Sequence, residues 1–358
     1  MKPAPSIIGF TTASGLGYGM LFVLALGALI GVIPTERWLR VSGLLLALGS
    51  ISAGLLSSTL HLGHPERAWR ALSQWRSSWL SREGVLALFT YVPALLLAAG
   101  WIIDESLSGI YAVSAITAAL GAAATVYCTG MIYASLPPIK AWHQPLTAPI
   151  YLAFALMTGA LAVHFLLVLF GAPHLFIGLL ALLAIVGAFV MKILYWRKLE
   201  NQRSHGPTTA SATGLSSSGL VRMLDPPHTQ TNYLLDEMGF RIGRKHAHVL
   251  KFLAYLFGLV APLILTLMAL ALDTMPTTLL ALVAFLSGMV GVVLERWLFF
   301  AEAEHTVMLF YAGQHVTSKP KTSAAPAKSA PSPHPKRRRA PLPRRRQAIE
   351  TADVAASD

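Results

Sequence analysis

An all-α, polytopic membrane fold, a bundle of eight transmembrane helices, is what this 358-residue sequence predicts, and three observations predict it. The composition is 54% hydrophobic and only 12% charged, about half the charged share of a soluble domain, and mean hydropathy is +0.58. The apolar residues gather into runs long enough to cross a bilayer. The basic residues gather in alternate connections between those runs.

A spanning helix needs about 20 predominantly apolar residues. Eight segments meet that need: 16–33, 41–60, 85–103, 110–134, 148–170, 174–195, 250–272 and 277–299. Their length and their Val, Ile, Leu, Ala and Gly content exclude barrel strands, which alternate and run about ten residues. The first span is not followed by the small-residue cleavage site of a signal peptide, and no internal repeat is evident.

With eight spans, the N-terminus, the loops 61–84, 135–147 and 196–249, and the C-terminal tail all share one side. Most of the Lys and Arg lie there, whereas the opposite loops hold Arg37 and Arg40 with Asp104, Glu105 and Asp273. The positive-inside rule then puts both termini in the cytoplasm of a bacterial inner membrane. Residues 1–317 form the membrane domain. Residues 318–358 hold ten Lys/Arg against three acids, about +7 of the chain's net +12. That tail is Pro-, Ala- and Ser-rich, cannot bury a core, and is expected to be disordered. Its "KRRR" and "PRRR" blocks suit anionic headgroups beside a membrane better than nucleic acid.

Cys128 is the only cysteine. An internal disulfide, a Cys-ligated zinc, a haem-attachment motif and an iron–sulfur cluster held by this chain alone are therefore excluded.

Polar chemistry concentrates in "HLGHPERAWRALSQWRSSWLSREG", residues 61–84, with two His, two Glu, four Arg and three Trp in 24 residues. Pro65 suits the first turn of a short helix. Ala68, Leu72, Trp75 and Trp79 recur at i, i+4, i+7 and i+11, so an amphipathic helix lying in the membrane interface is expected. Ser81 is expected to cap the third span and place Glu83 in its first turn. His61 and Glu83 then stand at one depth, on the ends of two neighbouring spans. An imidazole and a carboxyl at an apolar boundary suit two-electron, two-proton quinone chemistry, which needs a greasy slot and groups that accept or carry a proton. Both residues also complement a helix dipole, so on residue chemistry alone the structural role stays open beside the redox one.

Five stretches carry a family resemblance: "HLGHPERAWRAL", "SSWLSREG", "MIYASLPPIKAWHQPLT", "LDPPHTQTNYLLDEMGFRIGRKHA" and "LERWLFFAEAEHTVMLFY". Together they cover most of residues 5–312, and "HLGxPxRA" followed some twenty residues later by "WLSRE" is the most specific. The chain resembles the membrane anchor subunits of dimethyl sulfoxide reductase-type iron–sulfur molybdoenzymes. The resemblance implies eight spans, no haem, and a quinone or quinol (menaquinone or ubiquinone) exchanging electrons with an iron–sulfur subunit and, through it, a molybdopterin catalytic subunit, as in anaerobic respiration. It puts the quinone-binding His and Glu on His61 and Glu83, with His64, Arg67 and Arg82 as weaker candidates. Related anchors serve a cytoplasmic-facing sulfite dehydrogenase that reduces quinone, and a purely structural anchor is the further alternative.

Partner docking is expected at Arg241, Arg244 and Lys245, which flank the more varied half of the long loop. Arg67 and Arg70 suit a partner's carboxylates and lipid phosphates equally, and Arg70 is counted with the docking residues. A metal at His61 and His64 is disfavoured because Gly63 and Pro65 break the helical geometry that would align them. For haem, only His164 lies well inside a span, with His174 near the opposite face. Glu295 and Arg296 read as a local ion pair at the interface, and Tyr127, Cys128 and Tyr133 as packing. With essentially no charge at mid-membrane, a transporter is disfavoured.

Overall fold

The computed structural model describes residues 3–60, 62–215, 221, 246–272 and 276–310, except the side chains of 203–205. His61, Arg241, Arg244, Lys245 and the tail 318–358 lie outside the described residues. Eight long apolar helical segments are present. They are α1 (Pro5–Leu29), α2 (Arg37–Thr59), α3 (Trp79–Ala98), α4 (Ile110–Ala134), α5 (Thr147–Leu169), α6 (Leu175–His205), the pair α8 (Ala247–Tyr255) and α9 (Ala261–Ala271), and α10 (Pro276–Ala301). A short α7 (Thr209–Thr213) follows α6. Among the described residues there is one isolated backbone bridge, Ile139 to His305, and no strand.

The bundle is built around α1 and α5, the two most enclosed helices. Their crossing is backbone on backbone: a Cβ at Gly19 would overlap the Ala155 carbonyl, and one at Gly159 would overlap Gly19. Small residues allow this approach, and in a bilayer such close packing replaces the hydrophobic drive of water. A second crossing pairs Gly258 with Gly291. Gly258 lies in a π turn, Leu256–Val260, that joins α8 to α9. The Ser287 hydroxyl donates to the Phe257 carbonyl there at 2.8 Å, satisfying a group in the widened turn. Large apolar side chains such as Leu45, Phe89 and Leu183 are exposed on the outer surface, as expected where hydrocarbon is the solvent.

Two helix lengths depart from the hydropathy pattern. α1 begins at Pro5, eleven residues before the expected span. "TTAS" lowers local hydropathy, but Thr12 donates to Ile8 O at 2.7 Å and Ser14 to Phe10 O at 2.6 Å. These back-bonds satisfy the hydroxyls inside the helix, so the helix continues with a polar stripe turned inward. α6 runs on to His205, about three turns past the expected Tyr195, because polar residues after a span continue a helix readily in water.

At the end opposite the N-terminus, buried Arg40 donates to the carbonyls of Trp101 and Thr35 and lies 3.7 Å from Glu105. At the N-terminal end, the 135–147 connection is fastened to α6 and α10. Tyr195 donates to Ala141 O at 2.6 Å, and the Trp142 indole donates to Phe299 O at 3.0 Å.

Candidate functional site

Glu83 is the candidate site residue that the fold buries. α3 starts at Trp79, and its cap is Ser78, whose side chain accepts from the Ser81 amide at 3.4 Å. The expectation that Ser81 caps the helix is therefore corrected. Ser81 is inside α3, buried, and donates to the Ala71 carbonyl. Glu83 accordingly stands in the second turn rather than the first, one turn deeper in the bundle.

The segment between α2 and α3 also differs from expectation. It is a 3-10 helix, Pro65–Gln74, not an α-helix, and Trp75 falls just beyond it. Ala68, Leu72 and Trp79 are half-buried, but Trp75 is exposed, so the expected four-residue stripe breaks at its third member. Leu72 covers Gly84, where a Cβ would come 2.8 Å from the leucine Cδ2. With the Ser81 bond, this contact clamps the connector over the N-terminal end of α3.

Arg82 and Glu83 are neighbours in sequence and diverge in space. Arg82 turns outward, its Nε donating to Trp75 O at 3.0 Å and Nη2 to Arg76 O at 2.7 Å, with the guanidinium 4.3 Å from the Trp79 ring centre. Glu83 is 5% exposed. Its Oε1 accepts a hydrogen bond from the Thr129 hydroxyl on α4, and it has no ion pair among the described residues. Tyr18 on α1 is buried, with Thr125 of α4 and Glu83 among its polar neighbours. Thus α1, α3 and α4 bring a phenol, a carboxyl and a threonine into one buried region.

Two hollows adjoin this interior. An apolar groove of about 260 Å³ lies between α1, α4 and α5, walled by Tyr18, Phe22, Ala122, Val126, Ala155 and Leu156. Glu83 is not among its walls. A hydroxyl-lined void of about 10 Å³, room for roughly one water, is bounded by Thr11, Thr12, Ser14, Thr129, Tyr151 and Arg296. Thr129 thus touches both Glu83 and the void.

Beside the void lies a group of charges that includes the ion pair expected near the end of the eighth span. Glu295 and Arg296 are 0% and 2% exposed, inside the bundle. Glu295 pairs with Arg296 at 2.6 Å and, through its other oxygen, with Lys192 on α6 at 2.5 Å. Sequence reasoning misses Lys192, although a lone lysine in "GAFVMKILYW" is itself a signal, since intramembrane charges are costly and rarely idle. Aromatic faces surround the triad: Lys192 lies 3.9 Å from the Tyr195 ring centre, and Arg296 lies 3.9 Å from that of Tyr151. A second group follows toward the loop side, where Glu302 accepts from the Trp196 indole at 3.2 Å and pairs with Lys251 at 3.2 Å. These buried charges lie toward the loop-side ends of the apolar runs, not at their middles.

The remaining candidates face outward or serve the scaffold. His64 and Arg67 are exposed and share the Glu66 carboxylate at 3.0 and 3.7 Å. Arg70 lies exposed over Trp69. His174 Nδ1 accepts from the Phe176 amide at 3.3 Å and caps α6. His164 is buried, with neither ring nitrogen hydrogen-bonded among the described residues. Tyr133 packs within an aromatic cluster with Trp142, Tyr151, Phe299 and Phe300.

Comparison with known proteins adds two findings. A family model described as DMSO reductase anchor subunit (DmsC) matches residues 1–302. Over 330 residues the chain is 31% identical to a protein of Allochromatium vinosum that is named as a sulfite dehydrogenase subunit, covering 87% of this chain and 99% of that one.

Proposed function

Because the chain belongs to the DMSO reductase anchor subunit family, and is thereby a multi-pass membrane anchor for the catalytic and electron-transfer subunits of a molybdoenzyme, we propose that it also exchanges electrons between a membrane quinone and its iron–sulfur partner, with Glu83 as the proton-handling group. The burial of Glu83 without a counter-ion is the observation that carries this reading. A carboxyl that only complements a helix dipole belongs in the first turn and gains from exposure; this one stands in the second turn and is 5% exposed.

The residues present fit a quinone. A quinoid ring needs polar contacts at its two oxygens and apolar walls elsewhere. Tyr18 offers a hydroxyl, Glu83 offers a carboxyl, and the neighbouring groove offers hydrocarbon. A bound quinol supplies two electrons, which leave to the iron–sulfur partner, and two protons. Thr129 holds Oε1 of Glu83 and so fixes the carboxyl plane, which leaves Oε2 to take a proton. The connector is fastened over the N-terminal end of α3 by the Ser81–Ala71 bond, beside this carboxyl. His61, outside the described residues, is proposed as the second proton group on the strength of its sequence position.

The basic loops support, by the positive-inside rule, a site on the cytoplasmic side of a bacterial inner membrane. Arg241, Arg244 and Lys245 are proposed to contact the iron–sulfur partner. The extended match to a protein named as part of a sulfite dehydrogenase favours a second reading of direction, in which sulfite oxidation sends electrons into the quinone. The test is equilibrium binding of a quinone analogue to the purified complex. Wild type binds it; Glu83→Gln and His61→Arg variants that assemble normally bind it at least tenfold more weakly. Unchanged binding in both overturns the site. Reduction of quinone by sulfite in the same preparation decides the direction.

A further inference from the structure

We propose that the connector between α2 and α3 is a seat for anionic phospholipid headgroups, with Arg70 and Arg76 holding the lipid phosphate and Trp69 and Trp75 lying beside it. The proposal goes beyond the quinone reading and does not depend on it. The connector leaves α2 at Thr59 and enters α3 at Trp79, both of them membrane spans. It is therefore held at the boundary between hydrocarbon and water.

Its inner side is already committed to α3 by Ser81 and Leu72. Its outer side shows Trp69 and Trp75, 67% and 53% exposed. Each carries the next arginine over its ring, Arg70 at 5.6 Å and Arg76 at 5.5 Å. An indole has an apolar body and a single N–H donor, and it settles at headgroup depth. A guanidinium stacked on an indole keeps its N–H edge free to bind an oxyanion.

The charge balance selects the occupant. Residues 65–82 hold four arginines and one acid, Glu66. Glu66 is already shared by His64 and Arg67. Arg70 and Arg76 have no ion pair among the described residues, and Arg82 is turned back onto the connector's own carbonyls. Two cations, each paired with an indole and standing at a bilayer surface, fit a phosphodiester whose acyl chains continue into the apolar layer. A protein partner would satisfy the arginines with carboxylates, but it would also have to cover two exposed indoles, a side chain that favours headgroup depth.

The test uses the intact complex in nanodiscs of phosphatidylcholine, alone or mixed with phosphatidylglycerol, either lipid being brominated so that it quenches tryptophan on contact. Brominated phosphatidylglycerol is expected to quench wild type at lower mole fraction than brominated phosphatidylcholine. In an R70Q/R76Q variant that preference falls about tenfold. A W69F/W75F variant, which leaves both arginines in place, loses the component that brominated phosphatidylglycerol quenches preferentially, while Trp38 at the other end remains quenched by both lipids. Equal quenching by the two lipids overturns the proposal. So does an R70Q/R76Q variant that keeps the lipid preference but sheds its electron-transfer partner, which would assign the surface to protein.

Discussion

The hydroxyl of Thr129 on α4 donates to the carboxylate of Glu83 on α3, and this bond ties the buried acid to the helix opposite. Glu83 has no ion pair among the described residues, so Thr129 sets where its carboxyl points. A Thr129→Val variant keeps the shape and removes the bond. We expect it to assemble in full and to lower quinone-linked turnover about tenfold, while Thr129→Ser restores most of the rate. Steady-state kinetics on the three proteins check this, and equal rates for Val and Ser would remove Thr129 from the mechanism.

Glu295 pairs with two cations at once, Lys192 at 2.5 Å and Arg296 at 2.6 Å. Glu295→Gln leaves both buried without their anion, a change worth about 3–5 kcal/mol. Lys192→Met removes one cation and leaves Glu295 and Arg296 paired, so it is expected to cost clearly less. Thermal unfolding of the purified proteins should rank them wild type, Lys192→Met, Glu295→Gln. The reverse order would mean that the triad is not held by its anion.

The α1–α5 crossing has no space for a side chain at Gly19 or Gly159. Gly159→Leu is expected to prevent accumulation of the anchor in the membrane. Gly49→Leu, where nothing lies within 4 Å of the glycine's added carbon, is expected to be tolerated. Quantitative blots of membrane fractions distinguish the two.

Arg82 and Glu83 should behave differently despite adjacency. Arg82→Gln loses hydrogen bonds to the Trp75 and Arg76 carbonyls and is expected to loosen the connector, read as faster proteolysis between α2 and α3, with only a few-fold loss of quinone-linked rate. A loss as large as that of Glu83→Gln would show that Arg82 also acts on the carboxyl.

Much of this arrangement is legible in the sequence, since bilayer thickness writes spans as runs of apolar residues. All eight spans are found where those runs lie, and Glu83 stands out as an acid where an apolar run begins. What escapes is set by satisfaction inside the fold. Thr11, Thr12 and Ser14 look like loop residues until their hydroxyls are seen to bond back within α1. Ser78 and Ser81 are equally good caps by type, and only the tertiary bond from Ser81 to Ala71 decides between them. Lys192 and Glu295 lie about a hundred residues apart, and nothing local to either says that they meet.

The central claim, that Glu83 handles protons for a membrane quinone, is tested most directly by turnover of Glu83→Gln in the assembled complex with two electron carriers. One is a quinone; the other is a soluble artificial carrier that bypasses the anchor. The account predicts that bypass activity and the makeup of the purified complex match wild type while quinone-linked turnover falls about a hundredfold, the lower range for losing a positioned acid–base group. Quinone-linked turnover equal to wild type would contradict it.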